Sequence, residues 1–203
     1  INRGDFWGWG QFAPIDKRVI VNKDVKLVKA DAAGATLDIV NDWTIDGQKM
    51  MGEHTTAGWK QDGGANVLDL NYQLTPDWNL TLDRTAFGGF CVRARNDGDS
   101  WYTDPSGKVN RPDPHYSAPD LNWPAADWYA FSIKLKTGKE IGCAVVNHPS
   151  NPPSTWHNPR YVWMINPTLA AGAPLEVAMG KTLGLKYRVI VWDGALQAAL
   201  INR

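Results

Sequence analysis

Residues 66–75 read Asn66-Val67-Leu68-Asp69-Leu70-Asn71-Tyr72-Gln73-Leu74-Thr75, and the strict alternation of this stretch decides the fold. Successive side chains of a β-strand point to opposite faces of the sheet. A period of two therefore separates one set of side chains from the other: Leu68, Leu70, Tyr72 and Leu74 oppose Val67, Asp69, Asn71 and Gln73. The stretch predicts a β-strand with one apolar face.

The same alternation recurs along most of the chain and predicts further strands. They cover residues 18–30, 35–45, 49–59, 78–82, 87–95, 128–136, 140–147, 161–166, 175–179 and 183–193. Asp46-Gly47 is a tight hairpin signal, and residues 195–201 are the only helical candidate. Roughly ten strands at this spacing predict an all-β fold, an antiparallel β-sandwich that forms a single domain over residues 1–203.

Residues 96–127 interrupt this pattern with a long segment rich in Asp, Pro, Gly and Ser. A loop of that length inside a compact domain is usually a lid, a binding loop or a disordered insertion. Five aromatic or imidazole side chains favour an ordered lid, because disordered segments are poor in such residues. They are Trp101, Tyr102, His115, Tyr116 and Trp123.

Composition excludes some classes of partner. Lys plus Arg and Asp plus Glu each total 21, so the net charge is zero and no nucleic-acid footprint is expected. No apolar run is long enough to cross a membrane. Cys91 and Cys143 are the only cysteines and are expected to be free thiols, although one bridge is possible. The chain begins at Ile1 without Met, so we expect an upstream segment to be missing.

Eleven tryptophans are the strongest compositional signal for function. An indole offers a flat apolar face with one hydrogen-bond donor, which suits the apolar face of a sugar ring. The excess of Trp therefore indicates a carbohydrate ligand. The alternative is that many of these side chains fill a β-core.

The segment from His148 to Pro167 holds five prolines and two histidines, and cannot be a helix or a central strand. It is expected to be a stiff loop that presents functional side chains. His148 and His157 are candidate acids or bases, or else they only donate to loop carbonyls. The candidate substrate-binding residues in this segment are Asn151, Trp156, Arg160, Tyr161 and Trp163.

Further candidates lie outside that loop. Arg93 and Arg95 share one face of a predicted strand after Gly88-Gly89, where their guanidinium groups could bind a carboxylate or two sugar hydroxyls. Arg93 is the third candidate catalytic residue. Asp5, Trp7 and Glu53 are candidate binding residues, and Asp42 and Asp69 are further strand carboxylates that could face a cleft.

No cofactor is predicted. His54, His115, His148 and His157 lack the close spacing of zinc or copper motifs, so no metal ligand is assigned. A divalent metal remains an alternative. The acidic stretch 96–99 could seat calcium, but it lacks the full loop pattern.

The chain resembles a bacterial family that is labelled "methane oxygenase PmoA". The motifs that carry the resemblance are Asp5-Phe6-Trp7-Gly8, Asn41-Asp42-Trp43, Glu53, Gly88-Gly89-Phe90 with Arg93, His148-Pro149-Ser150-Asn151-Pro152, Trp156-His157, Arg160-Tyr161 and Asn166-Pro167. The resemblance implies a soluble β-sandwich from bacteria that degrade polysaccharides, in the periplasm or secreted. The membrane subunit that gave the label its name is ruled out, because this chain has no spanning segment.

Two departures from that family limit what can be carried over. The family has a His-His-Arg stretch ahead of the first motif, and a Lys-Glu pair where this chain has Ala86-Phe87. The first hypothesis is a carbohydrate-active enzyme, a glycoside hydrolase or lyase. The alternatives are a non-catalytic carbohydrate-binding or assembly module and a metal-dependent oxygenase. A homo-oligomer or a partner strand is expected at an exposed sheet edge.

Overall fold

The computed structural model describes residues 1, 6 and 17–202. The fold consists almost entirely of β-strands connected by ordered loops. The strands are β1 (Arg18–Asp31), β2 (Gly34–Ile45), β3 (Gln48–Asp62), β4 (Ala65–Pro76), β5 (Leu80–Leu82), β6 (Val92–Arg93), β7 (Gly98–Asp104), β8 (Gly107–Lys108), β9 (Trp128–Leu135), β10 (Glu140–Asn147), β11 (Thr155–Trp156), β12 (Met164–Ile165), β13 (Pro167–Thr168), β14 (Leu175–Val177) and β15 (Leu183–Asp193), followed by the helix α1 (Ala198–Ile201).

Nine strands form one antiparallel sheet in the order β1-β2-β3-β4-β15-β10-β9-β7-β8. Three short antiparallel ladders lie outside it: β11 with β13, β12 with β6, and β14 with β5. The predicted all-β antiparallel fold and its short C-terminal helix are confirmed. β4 extends the predicted strand 66–75 by one residue at each end.

The tight turn predicted at Asp46-Gly47 connects β2 to β3. Both residues have positive φ, 50° and 78°, the backbone of a type I′ hairpin turn. Ile45 pairs directly with Gln48 across this turn.

Several element boundaries differ from the prediction. The long segment 96–127 begins with two strands, β7 and β8. The Gly and Asp residues of β7 have low β-propensity, so its sequence does not indicate a strand, yet β7 pairs along β9. Gly98 is required there, because a Cβ would lie 2.2 Å from the Lys134 carbonyl oxygen. The predicted strand 161–166 shrinks to β12, because a 3₁₀ turn (Arg160–Val162) and the left-handed Trp163, at φ 51°, precede it.

One face of the sheet, here called the inner face, is covered by a loop layer formed by segments 80–95, 109–126 and 154–177. Leu68, Leu70 and Tyr72 point into this interface, as the alternation of β4 predicted. The centre of the core consists of fully buried side chains from both layers. They include Tyr102, Tyr129, Phe131, Ile133 and Val145 from the sheet, and Trp123, Trp156 and Ile165 from the loop layer.

The opposite, outer face carries the polar side of β4. At one end of it, α1 packs through Ile201 against Trp128, Ile190 and Trp192. Among residues 1, 6 and 17–202, no helix is long and apolar enough to cross a membrane. Cys91 and Cys143 are free thiols, as predicted, and burial raises the pKa of Cys91 to about 11 and of Cys143 to about 12.

Candidate functional site

The predicted functional loop from His148 to Pro167 is divided between two parts of the fold. His148 follows β10 and lies beside the outer face of the sheet. His157 lies inside the loop layer, which covers the inner face. The structure therefore does not place the two histidines in one cleft.

His148 is exposed, and the turn that follows holds its ring in place. Its Nδ1 accepts the backbone N–H of Ser150 at 3.1 Å and lies 2.7 Å from the Ser150 hydroxyl. Its own backbone N–H donates to the Lys186 carbonyl at 3.3 Å. Because Nδ1 is used as an acceptor, the neutral ring carries its proton on Nε2, and this N–H can donate a hydrogen bond to a ligand.

A groove of 590 Å³ crosses the outer face beside His148. It is open along the sheet, and its lining comes from β2, β3, β4, β10 and β15, together with the start of the loop and Ile201 of α1. The polar side chains of the lining are Thr36, Thr56, Asp69, Asn71, His148, Lys186 and Arg188. A smaller groove of 190 Å³ adjoins it and shares Thr36, Gly58 and Asp69.

Asp69 and Arg188 form an ion pair in this groove. They lie directly opposite each other in the pairing of β4 with β15. The guanidinium donates from Nε to Oδ1 at 2.6 Å and from a terminal nitrogen to Oδ2 at 3.1 Å. The hydrogen bond with Asp69 raises the pKa of Arg188. This bidentate contact orients a carboxylate and a guanidinium towards the same space.

Three other polar side chains of the lining are available to a ligand. Within the described part of the chain, the side chains of Thr36, Asn71 and Lys186 make no hydrogen bond or ion pair. Thr56 donates its hydroxyl to Asp38 at 3.1 Å, which leaves its oxygen as an acceptor. The groove thus offers amide, hydroxyl, ammonium, carboxylate and imidazole groups together.

Asn151 supports this groove from behind, although it was predicted to bind substrate. It is buried, and its amide donates at 2.7 Å to both the Asn147 side chain and the Lys186 carbonyl. Its carbonyl oxygen accepts the Lys186 backbone N–H at 2.7 Å. Asn151 therefore anchors the loop that carries His148 to β15.

His157 is 2% exposed and lies in a polar network of the loop layer. Its Nδ1–H donates to the side-chain oxygen of Asn122 at 2.9 Å, and its ring lies 5.5 Å from that of Phe87. Burial lowers the pKa of His157 to about 4; Asp113 opposes this shift and His115 adds to it. The imidazole is therefore neutral near pH 7 and cannot serve there as a general acid.

Arg160 and Trp156 hold the loop layer together. The Arg160 guanidinium pairs with Asp113, donates to the Arg111 carbonyl at 2.8 Å and lies over the Trp123 ring. Trp156 is fully buried, and its indole donates to the Ala126 carbonyl at 3.2 Å. Neither side chain presents a free face to a sugar ring.

The remaining predicted residues do not converge on the groove. Arg93 is exposed on β6, and Arg95 pairs with Asp97 beyond it. Tyr161 is exposed and Trp163 packs partly buried against the core. Asp5 and Trp7 lie outside the described residues.

Glu53 forms a second polar cluster, on the inner face of β3. Its Oε1 accepts hydrogen bonds from Asn41 and Thr55, both at 2.9 Å, and its Oε2 accepts one from the Trp43 indole at 2.7 Å. The Phe6 ring lies 5.0 Å from Trp43. Two motifs of the sequence, Asn41-Asp42-Trp43 and Glu53, thus meet at one buried carboxylate that accepts three hydrogen bonds, and Phe6 of a third motif packs on Trp43.

The sequence indicates Asp69 as a possible cleft residue, but it does not identify most of the other residues that line the groove. Asn71 lies on the same polar side of the alternation in residues 66–75, which was the available signal. Arg188 and Lys186 could not be added, because their alignment with β4 depends on the strand register. Among residues 1, 6 and 17–202, no three His, Cys, Asp or Glu side chains are grouped to hold a metal ion.

Comparison with known families matches the model of DUF6807 over residues 1–203. The chain belongs to the DUF6807 family. DUF6807 is a family of unknown function, and nothing in the match connects it with the methane oxygenase label. No curated protein matches this DUF6807 chain. Its function has to be inferred from the groove, the buried His157 and the Glu53 cluster.

Proposed function

We propose that this DUF6807 protein binds carbohydrate in the groove on the outer face of its sheet. The observation that carries the proposal is the bidentate pair of Asp69 and Arg188 beside Thr36, Asn71 and Lys186, whose side chains have no partner among the described residues. Each sugar hydroxyl both donates and accepts a hydrogen bond, so it suits a surface with both kinds of group. A neutral amide such as Asn71 next to a charged pair supplies that mixture.

The shape of the groove supports the same ligand class. It lies on a rigid sheet, so its side chains are already oriented before a ligand binds. Its floor is backbone and small side chains, since Gly58 and Thr56 of β3 lie between the polar residues of β2 and β4. A saccharide could therefore lie flat along the groove with its hydroxyls directed at the lining.

Replacing Asn71 with Ala is expected to weaken glycan binding about fivefold, because an amide that bonds a hydroxyl contributes on the order of 1 kcal/mol. The ligand would first be selected on a glycan array and its affinity then measured by calorimetry. Gln73→Ala is the matched control, since Gln73 lies on the same face of β4 but outside the groove. Equal affinities for wild type and Asn71→Ala would contradict the proposal.

Catalysis on a glycosidic bond is the second candidate function, as a hydrolase or a lyase. The observation that favours it is the presence of a titratable imidazole, His148, in the same groove as the Asp69 carboxylate and the Arg188 guanidinium. An acid or base and an oriented carboxylate are the groups that such reactions require. His157 has no part in this mechanism.

His148→Asn tests catalysis separately from binding. An Asn side chain can still accept the Ser150 backbone N–H, so the turn is preserved while the titratable group is lost. If His148 is the acid or base, turnover of the bound glycan should fall about a hundredfold or more with little change in affinity. His54→Asn, an exposed histidine outside the groove lining, is the control. A wild-type protein that binds glycan without turnover would be a binding module.

The metal-dependent oxygenase has less support than either of these functions. A divalent metal and location in the periplasm or outside the cell likewise remain predictions from the sequence. Elemental analysis of the purified protein would test the metal directly, and a stoichiometric redox metal would revive the oxygenase hypothesis.

A further inference from the structure

The inner face of β1, β2 and β3 carries apolar side chains that the loop layer does not cover. Strand pairing aligns them in three rows across the strands. The rows are Val25-Ile39, Leu27-Leu37-Ala57 and Ala30-Ala35-Trp59, and together they are called the apolar patch. Thr55 continues the first row on β3, but it is polar and only 3% exposed and is not part of the patch. Val25 is 53% exposed, Leu27 63% and Trp59 42%.

The same rows continue into β4 and β15, where they are buried. Leu27, Leu37 and Ala57 align with Leu70 and then with Tyr187, which is only 3% exposed. Burial thus decreases steadily from the centre of the sheet towards β1. The alternation typical of a core-facing strand therefore continues on β1, β2 and β3, where the loop layer no longer covers the inner face.

No side chain of the apolar patch carries a charge. Charged residues that lie between these rows point to the outer face instead, among them Asp24, Lys26, Asp38 and Lys60, and the inner-face carboxylate of β3, Glu53, lies beyond the patch and is buried. Because no charge has to be desolvated, another apolar surface can cover this one without an electrostatic cost.

We propose that two copies of this protein pack through their apolar patches, face to face, about a twofold axis that runs along β2. Such an axis places β1 of one copy over β3 of the other and keeps each row opposite itself. Two sheets would then enclose a shared core, in the aligned packing of β-sandwiches. A twofold contact of this type is self-complementary.

The side-chain sizes in each row favour a second copy as the occupant. The axis would place Leu27 over Ala57 of the second copy and Ala30 over Trp59 of the second copy. Each large side chain therefore faces a small one, which allows the two surfaces to interdigitate. Only the patch residues of β2, Ala35, Leu37 and Ile39, would meet their own counterparts, on the axis itself.

The size of the patch suits a dimer that dissociates at low concentration. Three rows on three strands cover roughly 300 Å² of sheet, given strands about 4.8 Å apart. Small and transient interfaces bury up to about 600 Å² per partner, so the patch supplies about half of such an interface. Ile20 and Asn22 continue the same face of β1 but add only about 65 Å² at this spacing, so the dimer is expected to be weak.

The exposed edge of β1 is a poorer contact than its face. Register shifts between Asn22 and Asp24 and between Leu27 and Lys29 show two bulges in this strand. Bulges and lysines on an edge strand hinder pairing with another strand. The expectation of a partner strand at this edge is therefore replaced by contact through the face.

Sedimentation velocity from micromolar to millimolar protein tests the proposal. Wild type should show a concentration-dependent dimer, and Leu27→Asp should be monomeric throughout this range. Leu27 is the most exposed side chain of the patch, so this substitution should leave the fold intact. Val40→Asp is the matched control, because Val40 is also exposed but lies on the outer face of β2, and it should dimerise like wild type.

A mixing experiment tests the predicted contact itself. Leu27→Asp and Ala57→Lys should each be monomeric alone, whereas an equimolar mixture should form a heterodimer, because the new carboxylate would face the new ammonium. A monomeric wild type, a dimer that survives Leu27→Asp, loss of the dimer in Val40→Asp, or a mixture that stays monomeric would overturn the proposal.

Discussion

Gly142→Ala is expected to destabilise the protein by about 3 kcal/mol or more, a large effect for a single methyl group. Gly142 is buried in β10, between β9 and β15. A Cβ at this position would lie 2.3 Å and 2.6 Å from two atoms of the Trp192 indole and 3.0 Å from the Phe131 carbonyl oxygen. Trp192 is itself 3% exposed and has no room to retreat.

Urea unfolding monitored by Trp fluorescence would measure this loss. Gly184→Ala is the matched control, because Gly184 lies on β15 with open space where its Cβ would be, and its effect should stay below about 0.5 kcal/mol. Trp192→Phe removes the ring atoms that cause the clash. The double substitution should therefore cost less than the sum of the two single ones. A loss below about 1 kcal/mol in Gly142→Ala would show that the indole can move.

The fold could be predicted from sequence because its long strands carry their own pattern. Residues 66–75 and 183–193 alternate so regularly that the structure changes their ends by at most one residue. β7 is not predicted from the sequence because Gly98 and Asp99 lower the β-propensity of this segment. The strand forms because it pairs with β9. Long-range pairing of this kind is invisible in a local window.

The groove was harder to predict than the strands for a related reason. Asp69 and Arg188 are 119 positions apart, and only the register of β4 against β15 brings them together. A shift of one residue would have placed Arg188 on the opposite face from Asp69. The polar side of a strand can be identified from sequence, but its cross-strand neighbours cannot.

The segment from His148 to Pro167 is conspicuous in the sequence, but its predicted site residues have different roles in the structure. Trp156 and Arg160 have the residue types of a sugar site but are used to pack and tie the loop layer. Burial decides this distinction, and burial in an irregular loop has no periodicity to reveal it. His148 alone among the loop's predicted site residues contributes a side chain to the groove lining.

Acid should weaken the fold through His157. The folded pKa of about 4 lies below the ordinary histidine value of 6.5, because burial disfavours the charged ring. Below about pH 6.5 the unfolded chain binds a proton at this position, whereas the folded protein does not until about pH 4. The stability from neutral His157 is therefore complete above pH 6.5 and is lost progressively as the pH falls towards 4.

The expected loss is roughly 2 to 3 kcal/mol between about pH 7.5 and pH 4.5, since each unit of pKa difference corresponds to 1.36 kcal/mol. Urea unfolding across this range would measure it in wild type and in His157→Gln. The Gln variant should be less stable at neutral pH because the Asn122 contact is altered, yet its stability should depend less on pH. If His157 contributed only contacts, His157→Gln would lower the free energy of unfolding without changing its dependence on pH.

NMR gives an independent measure of the same pKa. The ring resonance that disappears in His157→Gln should titrate with a midpoint near pH 4 in the wild type. Asp113, on the opposing segment, is the carboxylate that favours protonation, so Asp113→Asn should lower this midpoint further. Because Asp113 also pairs with Arg160, the spectrum of that variant must first show an intact fold. A midpoint near 6.5 in the wild type would mean that water reaches the ring, and His157 would then return as a candidate acid or base.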